Sequence, residues 1–168
     1  DMRRLAGEIA LADNLTDGRL VLGFGSGYQQ YEFHKFGVDL KNSKQIFHET
    51  LELVEQFMSG SDAIEYDGEF IKAPETHFIV RPLQKRMDMY IAGQVHDQPM
   101  QKHIAEMGYV PFVTTGWSPI EDTVANRAKI VETREAAGLP TDEVPFAAQV
   151  YVHVTDSKED ALVAADNA

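Results

Sequence analysis

The sequence contains no cysteine, and this absence removes several kinds of chemistry at once. Without a thiol, the chain has no disulfide bonds, no thiolate ligands for a metal and no cysteine nucleophile. The histidines do not supply a metal site either. His34 and His48 lack ligand spacing, and His96 and His103 are seven residues apart, which is too far for two ligands of one metal on a single helix. We therefore expect no metal centre.

Basic residues are also scarce. The chain has 15 lysines and arginines against 27 aspartates and glutamates, which gives a formal net charge of −12. No basic stripe is present that could neutralise the phosphates of a nucleic acid. An acidic surface is likewise repelled by an anionic membrane. The composition thus argues against both nucleic acid and membrane partners.

Long apolar runs are missing as well. No segment has the length of a membrane span, and the beginning of the chain lacks the basic, apolar and small-residue pattern of a signal peptide. We therefore expect a cytoplasmic protein. Its 168 residues, 43% of them apolar, suffice for one core, so a single domain over 1–168 is predicted. The sequence begins at Asp1 inside a helical pattern, which suggests a piece of a longer protein.

Helical and strand patterns alternate along the chain. The apolar periodicity predicts helices at 2–14, 43–58, 98–107 and 119–137 with a last one ending at 167, and strands at 19–25, 87–92, 109–115 and 145–154. Such alternation indicates right-handed crossovers and a parallel sheet. A closed barrel of eight β/α units takes about 250 residues, so four units would be half of one. A flavodoxin-like open sheet is the alternative.

Three shorter features complete this prediction. Asp67-Gly68 between alternating apolar residues predicts a β-hairpin over 63–72. Residues 26–42 are predicted to be one long loop. Ser118-Pro-Ile-Glu121 is a capping box that opens the 119–137 helix, and Thr155 or Asp156 is expected to cap the last one.

Glycines and polar residues follow three of the predicted strands: Gly25-Ser26-Gly27, Gly93-Gln94 and Thr114-Thr115-Gly116-Trp117. The carboxyl ends of parallel strands meet at one edge, where the following loops supply backbone donors to ligands. A shared pocket is therefore expected, although each glycine alone could simply make a turn. A dinucleotide-binding fingerprint is excluded, because Tyr28 occupies the position that requires its third glycine and no helix begins directly after it.

Read together, these segments resemble the bacterial luciferase-like flavin-dependent monooxygenases. The most specific part is residues 5–28 (LAGEIALADNLTDGRLVLGFGSGY), followed by Glu32-Phe33 and 36–39 (FGVD). The similarity continues in order through 48–54 (HETLELV), 66–70 (YDGEF), 81–84 (RPLQ) and 105–109 (AEMGY). It covers essentially the whole chain.

The resemblance implies an α/β fold of the (β/α)8 TIM-barrel type. This chain would be a partial barrel of about four β/α units, roughly strands four to seven, with the hairpin as an insertion. It also implies reduced FMN, or a deazaflavin in sister branches, bound at the carboxyl ends of the strands. Such enzymes use reduced flavin and oxygen to oxidise aldehydes or other small organic substrates.

The resemblance also assigns candidate cofactor residues. The loop that contacts the flavin phosphate falls on Ser26, Gly27 and Tyr28, and Ser26 stands where many members have arginine. Lys44 replaces a second arginine, although a solvated lysine on a helix surface is an equally good interpretation. The other matching positions follow the next two strands and are Gly93, Gln94, Val95 and Thr115.

The catalytic histidine of the family lies on an early strand that matches nothing here, so the catalytic residues are unknown and the isolated chain is expected to be inactive. Three hypotheses remain: part of a monooxygenase, a non-catalytic flavin-binding or partner subunit, and an incomplete fragment. Besides flavin and substrate, the resemblance allows a flavin reductase and a homo- or hetero-oligomer as partners.

Overall fold

The computed structural model describes residues 1–114, 119–150 and 152–166. Within them the helices are α1 (Met2–Leu15), α2 (Gln30–Lys35), α3 (Ser43–Met58), α4 (Gln98–Met107), α5 (Ile120–Ala136) and α6 (Lys158–Asp166), with a 3-10 turn at Leu40–Asn42. The strands are β1 (Leu22–Gly25), β2 (Ala63–Asp67), β3 (Lys72–His77), β4 (Met89–Ala92), β5 (Val110–Thr114) and β6 (Ala147–Gln149).

Four of the strands form the parallel sheet that the alternation predicts. Their order is β1-β4-β5-β6, and the three neighbouring pairs are all parallel. Strands β2 and β3 form a separate antiparallel hairpin between α3 and β4. The sheet therefore places the ends of β1 and β4 side by side, with Gly25 paired to Ala92.

The sheet has one covered and one open face. Met89 and Ile91 are buried in a core cluster with α1, α3 and α4 side chains, to which Ile9, Phe47, Leu51, Val54, Met100 and Ile104 belong. The alternate residues of the same strands point to the opposite face. There, Gly23, Tyr90, Ala92 and Phe112 contribute to a hollow of about 260 Å³.

A second core cluster fixes the hairpin to the helices. Ile64, Ile71 and Ala73 are buried against Leu53 and Phe57 of α3, with Ala6 and Ala10 of α1 in the same cluster. Helix α3 thus presents one apolar stripe to the sheet and another to the hairpin. This double packing explains why its whole length is helical, as the sequence predicts.

The hairpin differs from the predicted one. Its second strand, expected to end at residue 72, begins there and runs to His77. The cause is Glu49, whose buried carboxylate accepts the N–H groups of Glu69, Phe70 and Ile71 at 2.9, 2.9 and 2.7 Å. These donors are used by a side chain of α3, so residues 68–71 form a turn that docks on that helix.

Other boundaries also differ from the prediction. The segment 26–42 is not one loop, since α2 and the 3-10 turn lie within it. Strands β1 and β6 are shorter than the predicted 19–25 and 145–154, and β4 begins at Met89 rather than at residue 87. The caps predicted for the last helix, Thr155 or Asp156, are wrong. Ser157 directly precedes α6, and its hydroxyl accepts the N–H of Asp160 at 3.0 Å.

The predicted capping box at the start of α5 has only partial structural support. Ser118 lies outside the described residues, and the N-cap position is occupied by Pro119, which makes no side-chain cap hydrogen bond.

Candidate functional site

The ends of β1 and β4 converge through a side-chain contact. The Gln94 amide Nε2 lies 3.4 Å from the Ser26 hydroxyl, and Gln94 itself is buried. The backbone around Gln94 is held in turn, because its carbonyl accepts Gln101 Nε2 at 2.9 Å and the N–H of Asp97 at 3.1 Å. Ser26 and Gln94, two of the predicted site residues, are thus neighbours in space.

Two glycines shape the backbone at these strand ends. Gly27 and Gly93 have φ values of +74° and +75°, a region that side chains with a Cβ rarely adopt. At Gly27 there is also no room, since a Cβ would lie 2.8 Å from the Phe33 ring of α2. Gly27 is therefore required both by its conformation and by the close approach of α2.

Further donors lie beside this contact. Within the described part of the chain, no hydrogen bond uses the backbone N–H groups of Gly27 or Val95. Of the other predicted residues, Val95 is buried and the Tyr28 side chain is largely exposed. Hydroxyl, amide and backbone N–H groups at converging strand ends are donors suited to an anionic group.

The predicted cation, Lys44, is engaged by a residue that the sequence analysis did not select. Its Nζ lies 2.8 Å from Asp97 Oδ2, and His48 Nε2 lies 3.3 Å from the same oxygen. Burial alone would raise the pKa of Asp97. The hydrogen bonds from Lys44 and from the Met100 N–H, together with the positive charges of Lys44 and His48, lower this pKa below its ordinary value. Asp97 is therefore ionised at neutral pH.

A cavity of about 320 Å³ opens beside Ser26, between the end of β1 and helices α2 and α3. Its wall is mainly apolar, and its polar side chains belong to Ser26, Glu32, Ser43 and Thr50. The apolar lining is formed by Phe24, Phe33, Phe36, Val38, Ile46 and Phe47. Helix α2, which the sequence analysis missed, is thus a wall of this cavity.

Of the third predicted strand end, only Thr114, the last residue of β5, is described. Thr115, the last of the predicted cofactor residues, lies outside the described residues, and so does Trp117. Among the described residues, no group of three or more histidines and carboxylates could hold a metal ion. The helices in those same ranges include none that is long and apolar enough to cross a membrane.

Comparison with known proteins decides the family. The family model described as luciferase-like monooxygenase matches residues 3–168. The chain belongs to this family. The resemblance found in residues 5–28 and the later segments is thereby confirmed.

Two relatives show how far the similarity of this luciferase-like chain extends. An uncharacterised protein from Sinorhizobium fredii is 34% identical over 142 residues, covering 84% of this chain and 39% of that protein. The oxygenase component of a flavin-dependent trigonelline monooxygenase from Acinetobacter baylyi is 27% identical, covering 97% of this chain and 45% of that protein. The chain spans less than half the length of either relative.

Solved structures share its fold. Monooxygenase RslO1 from Streptomyces bottropensis superposes with a TM-score of 0.81 at 21% identity, covering 98% of this chain and 50% of that one. The oxygenating constituent of a 3,6-diketocamphane monooxygenase from Pseudomonas putida, solved with FMN, gives 0.76 at 18% identity, covering 99% and 49%. An F420-dependent secondary alcohol dehydrogenase gives 0.68 at 14%, covering 88% and 44%. These likenesses establish the α/β fold with its parallel sheet.

The residues that the sequence analysis missed carried a weak signal. Asp97 precedes Gln98-Pro99, and an aspartate followed by proline in the first helical turn is typical of a helix start. Its proximity to Lys44, however, depends on how α3 and α4 pack, which no local pattern reveals. Glu49 gave no signal, because an isolated glutamate on a predicted helix is ordinarily solvated.

Proposed function

We propose that this luciferase-like chain supplies the phosphate end of a flavin site in a monooxygenase that uses reduced FMN and oxygen to oxidise a small organic substrate, such as an aldehyde. Family membership supports the class of reaction, and the FMN-bound neighbour supports the cofactor. The observation that carries the proposal is the contact of Ser26 with Gln94, which brings two predicted phosphate positions together.

The residues present fit a phosphate group. The Ser26 hydroxyl, the Gln94 amide, the N–H groups of Gly27 and Val95 and the Lys44 ammonium are all donors. The backbone at Gly93, where no atom lies within 4 Å of the Cβ position, leaves room for close approach. FMN, once bound, would supply oxygen activation, while these residues would bind and orient its phosphate.

The arrangement beyond the phosphate is part of the same proposal. We expect the chain to form about half of a (β/α)8 barrel, as a single domain over residues 1–168, with the flavin ring toward the open face of the sheet. Tyr90 and Phe112 provide apolar surface there. The name of the trigonelline relative, an oxygenase component, favours a separate flavin reductase as partner.

Two alternatives follow from specific observations. A deazaflavin is the alternative cofactor, because an F420-dependent enzyme shares the fold. A non-catalytic flavin-binding subunit, or an inactive fragment, is the alternative function, because the chain spans less than half of its relatives.

Titration of the 168-residue chain with FMN, riboflavin and F420, followed by flavin fluorescence, tests the proposal. We expect saturable binding of FMN that is tighter than that of riboflavin, since only FMN carries the phosphate. Preferential binding of F420 would favour the deazaflavin alternative. The absence of any saturable flavin binding would contradict a flavin site in this chain.

A further inference from the structure

Lys44 is the only lysine or arginine among the proposed phosphate ligands, and its charge is already compensated inside the protein. Its side chain is 61% exposed, whereas the Asp97 side chain that it contacts is only 7% exposed. The exposed ammonium group thus forms an ion pair with a buried carboxylate. An approaching phosphate meets a neutral pair rather than a free cation.

Asp97 itself is rigidly placed. Its Oδ1 accepts the N–H of Met100 at 3.2 Å and caps α4. Its backbone N–H donates to the carbonyl of Gln94, and its own carbonyl accepts the N–H of Gln101. The carboxylate therefore stays at the beginning of α4, where the helix dipole favours a negative charge. Its position is three residues beyond Gln94, the residue that contacts Ser26.

The same carboxylate oxygen faces His48 as well as Lys44. Both basic residues lie on α3, one helical turn apart, so α3 and α4 are joined at their first turns by this cluster. Lys44 Nζ keeps further N–H donors for a ligand, but the Asp97 carboxylate already compensates much of its positive charge.

We propose that Asp97 is a positioning residue that lowers the affinity of the site for the phosphate of FMN by holding Lys44 in an ion pair. The inference rests on the proposed function, in which Lys44 contacts that phosphate. Its consequence is a flavin that binds reversibly and can leave after each turnover. Such release is needed when the flavin is reduced elsewhere and arrives by diffusion.

The substitution Asp97→Asn tests this inference, because asparagine caps a helix about as well as aspartate but carries no charge. We expect the Kd of FMN to fall roughly two- to fivefold, which is the range that corresponds to the energies of exposed ion pairs. The Kd of riboflavin, which lacks the phosphate, should not change. Asp62→Asn, at an exposed position outside the cluster, controls for the change in net charge.

A second substitution separates failure of the inference from failure of the proposed site. Lys44→Met should weaken FMN binding without affecting riboflavin, and Asp97→Asn should then have little further effect in the double variant. If Lys44→Met leaves the ratio of the FMN and riboflavin affinities unchanged, Lys44 does not contact the phosphate and the inference falls. The proposed site at Ser26 and Gln94 is tested separately, by whether the unsubstituted chain binds FMN more tightly than riboflavin. If only Asp97→Asn fails to tighten FMN, the site stands and the inference is overturned. Thermal melts and circular dichroism of each variant confirm that the comparison is made between folded proteins.

Discussion

At the scale of single residues, Ser26 stands out because it occupies the centre of the proposed site with the weakest phosphate donor. A serine hydroxyl offers one hydrogen bond, whereas the arginine found in many family members offers two parallel, charged ones. The distance of 3.4 Å to Gln94 also shows that Ser26 is not tightly held by its neighbour. An arginine in its place would lose only this weak contact and would gain two parallel hydrogen bonds to the phosphate.

We therefore expect Ser26→Arg to bind FMN at least about tenfold more tightly, since even one charged hydrogen bond contributes about 1.5 kcal/mol. Riboflavin binding should stay as it is, and fluorescence titration measures both. Ser26→Gln, similar in length but neutral, is the matched control and should give no such gain. Equal gains for FMN and riboflavin would show that residue 26 does not face the phosphate.

The residues of the site were partly predictable from the sequence, for a physical reason. Gly27 and Gly93 were selected as glycines that follow strands, and both adopt the positive φ that glycine tolerates best. Asp97, like Glu49 at the hairpin, was not selected, because its partners come from another element of the chain. Charge pairing across elements is a product of packing, and a local pattern does not contain it.

At the scale of elements, Glu49 shows how a helix can reshape a hairpin. Burial would raise the pKa of its carboxyl, but the hydrogen bonds from the N–H groups of Ile71, Phe70 and Glu69, with the Gln45 side chain, lower it below the ordinary value. Gly68 is needed beside it, because a Cβ at that position would overlap the carboxylate. The turn 68–71 is thus formed around a charge on α3.

Glu49→Gln should lower the free energy of unfolding by about 1–3 kcal/mol at neutral pH, since the amide NH2 cannot accept the N–H groups that the second carboxylate oxygen accepts. The contribution of Glu49 is fully present above the pKa of the unfolded chain and is lost as pH falls through the lowered pKa of the folded state. The difference between the two proteins should therefore shrink in acid. Urea unfolding at about pH 7 and about pH 3, which is well below the ordinary glutamate pKa of about 4.3, measures it.

Glu65→Gln is the matched control for this test, because Glu65 is exposed on the same hairpin. It should leave the stability nearly unchanged at both pH values. A Glu49→Gln protein as stable as the original at neutral pH would show that the three N–H groups do not depend on this carboxylate.

Helix α2 is the element that the sequence did not reveal. It has only six residues, its N-cap Gln29 makes no side-chain cap bond, and it buries no residue completely. Helix α4, by contrast, was predicted with its observed bounds and has clear terminal residues, because Asp97 caps it and Gly108, at φ +68°, ends it. Elements with strong terminal signals can be predicted from the sequence, whereas α2 has no side-chain N-cap bond and packs its Phe33 ring against Gly27.

Substitution of Gly27 tests that fit. Gly27→Ala places a Cβ against the Phe33 ring in addition to the strain of a positive φ, so we expect a loss of stability of roughly 1–3 kcal/mol beyond the strain alone. Gly37→Ala is the matched control, because Gly37 has a φ of +68° but no atom within 4 Å of its Cβ position. It should cost about 1–2 kcal/mol. Thermal unfolding compares them.

Shortening the opposing ring should rescue part of the loss. In the double variant Gly27→Ala/Phe33→Leu the clash is relieved while the positive φ remains, so its stability should approach that of Gly37→Ala more closely than the single variant does. Equal stability of the Gly27→Ala and Gly37→Ala proteins would refute the role of α2 as a rigid wall.

At the scale of the whole molecule, the two faces of the parallel sheet differ, because one is covered by helices and the other is open. Helices α1, α3 and α4 bury one face of the parallel sheet, and the hollow beside Tyr90 and Phe112 marks the other. Alternation of helix and strand was enough to predict this sheet and its direction. It could not show whether a second layer covers the open face, because a strand pattern is the same in an open sheet and in a barrel.

The open face leads to a prediction about catalysis. A flavin bound at the ends of β1 and β4 would have the described residues on one side of its ring and water on the other. Exclusion of water is what protects a reactive flavin and directs it to a substrate. We therefore expect the 168-residue chain to bind reduced FMN. Oxygen should then oxidise the bound flavin without the transfer of an oxygen atom to an added aldehyde.

The measurement is a comparison of two rates in one sample. Oxygen consumption reports oxidation of the reduced FMN, and chromatography of the aldehyde reports its conversion; we expect the first without the second. The proposed phosphate site at Ser26 and Gln94 does not include the open face, so FMN should still bind more tightly than riboflavin. Stoichiometric conversion of the aldehyde would show that the chain encloses the flavin after all, for instance by pairing with a second copy. The molecular mass of the active species, from light scattering, would then decide whether the missing wall comes from another chain.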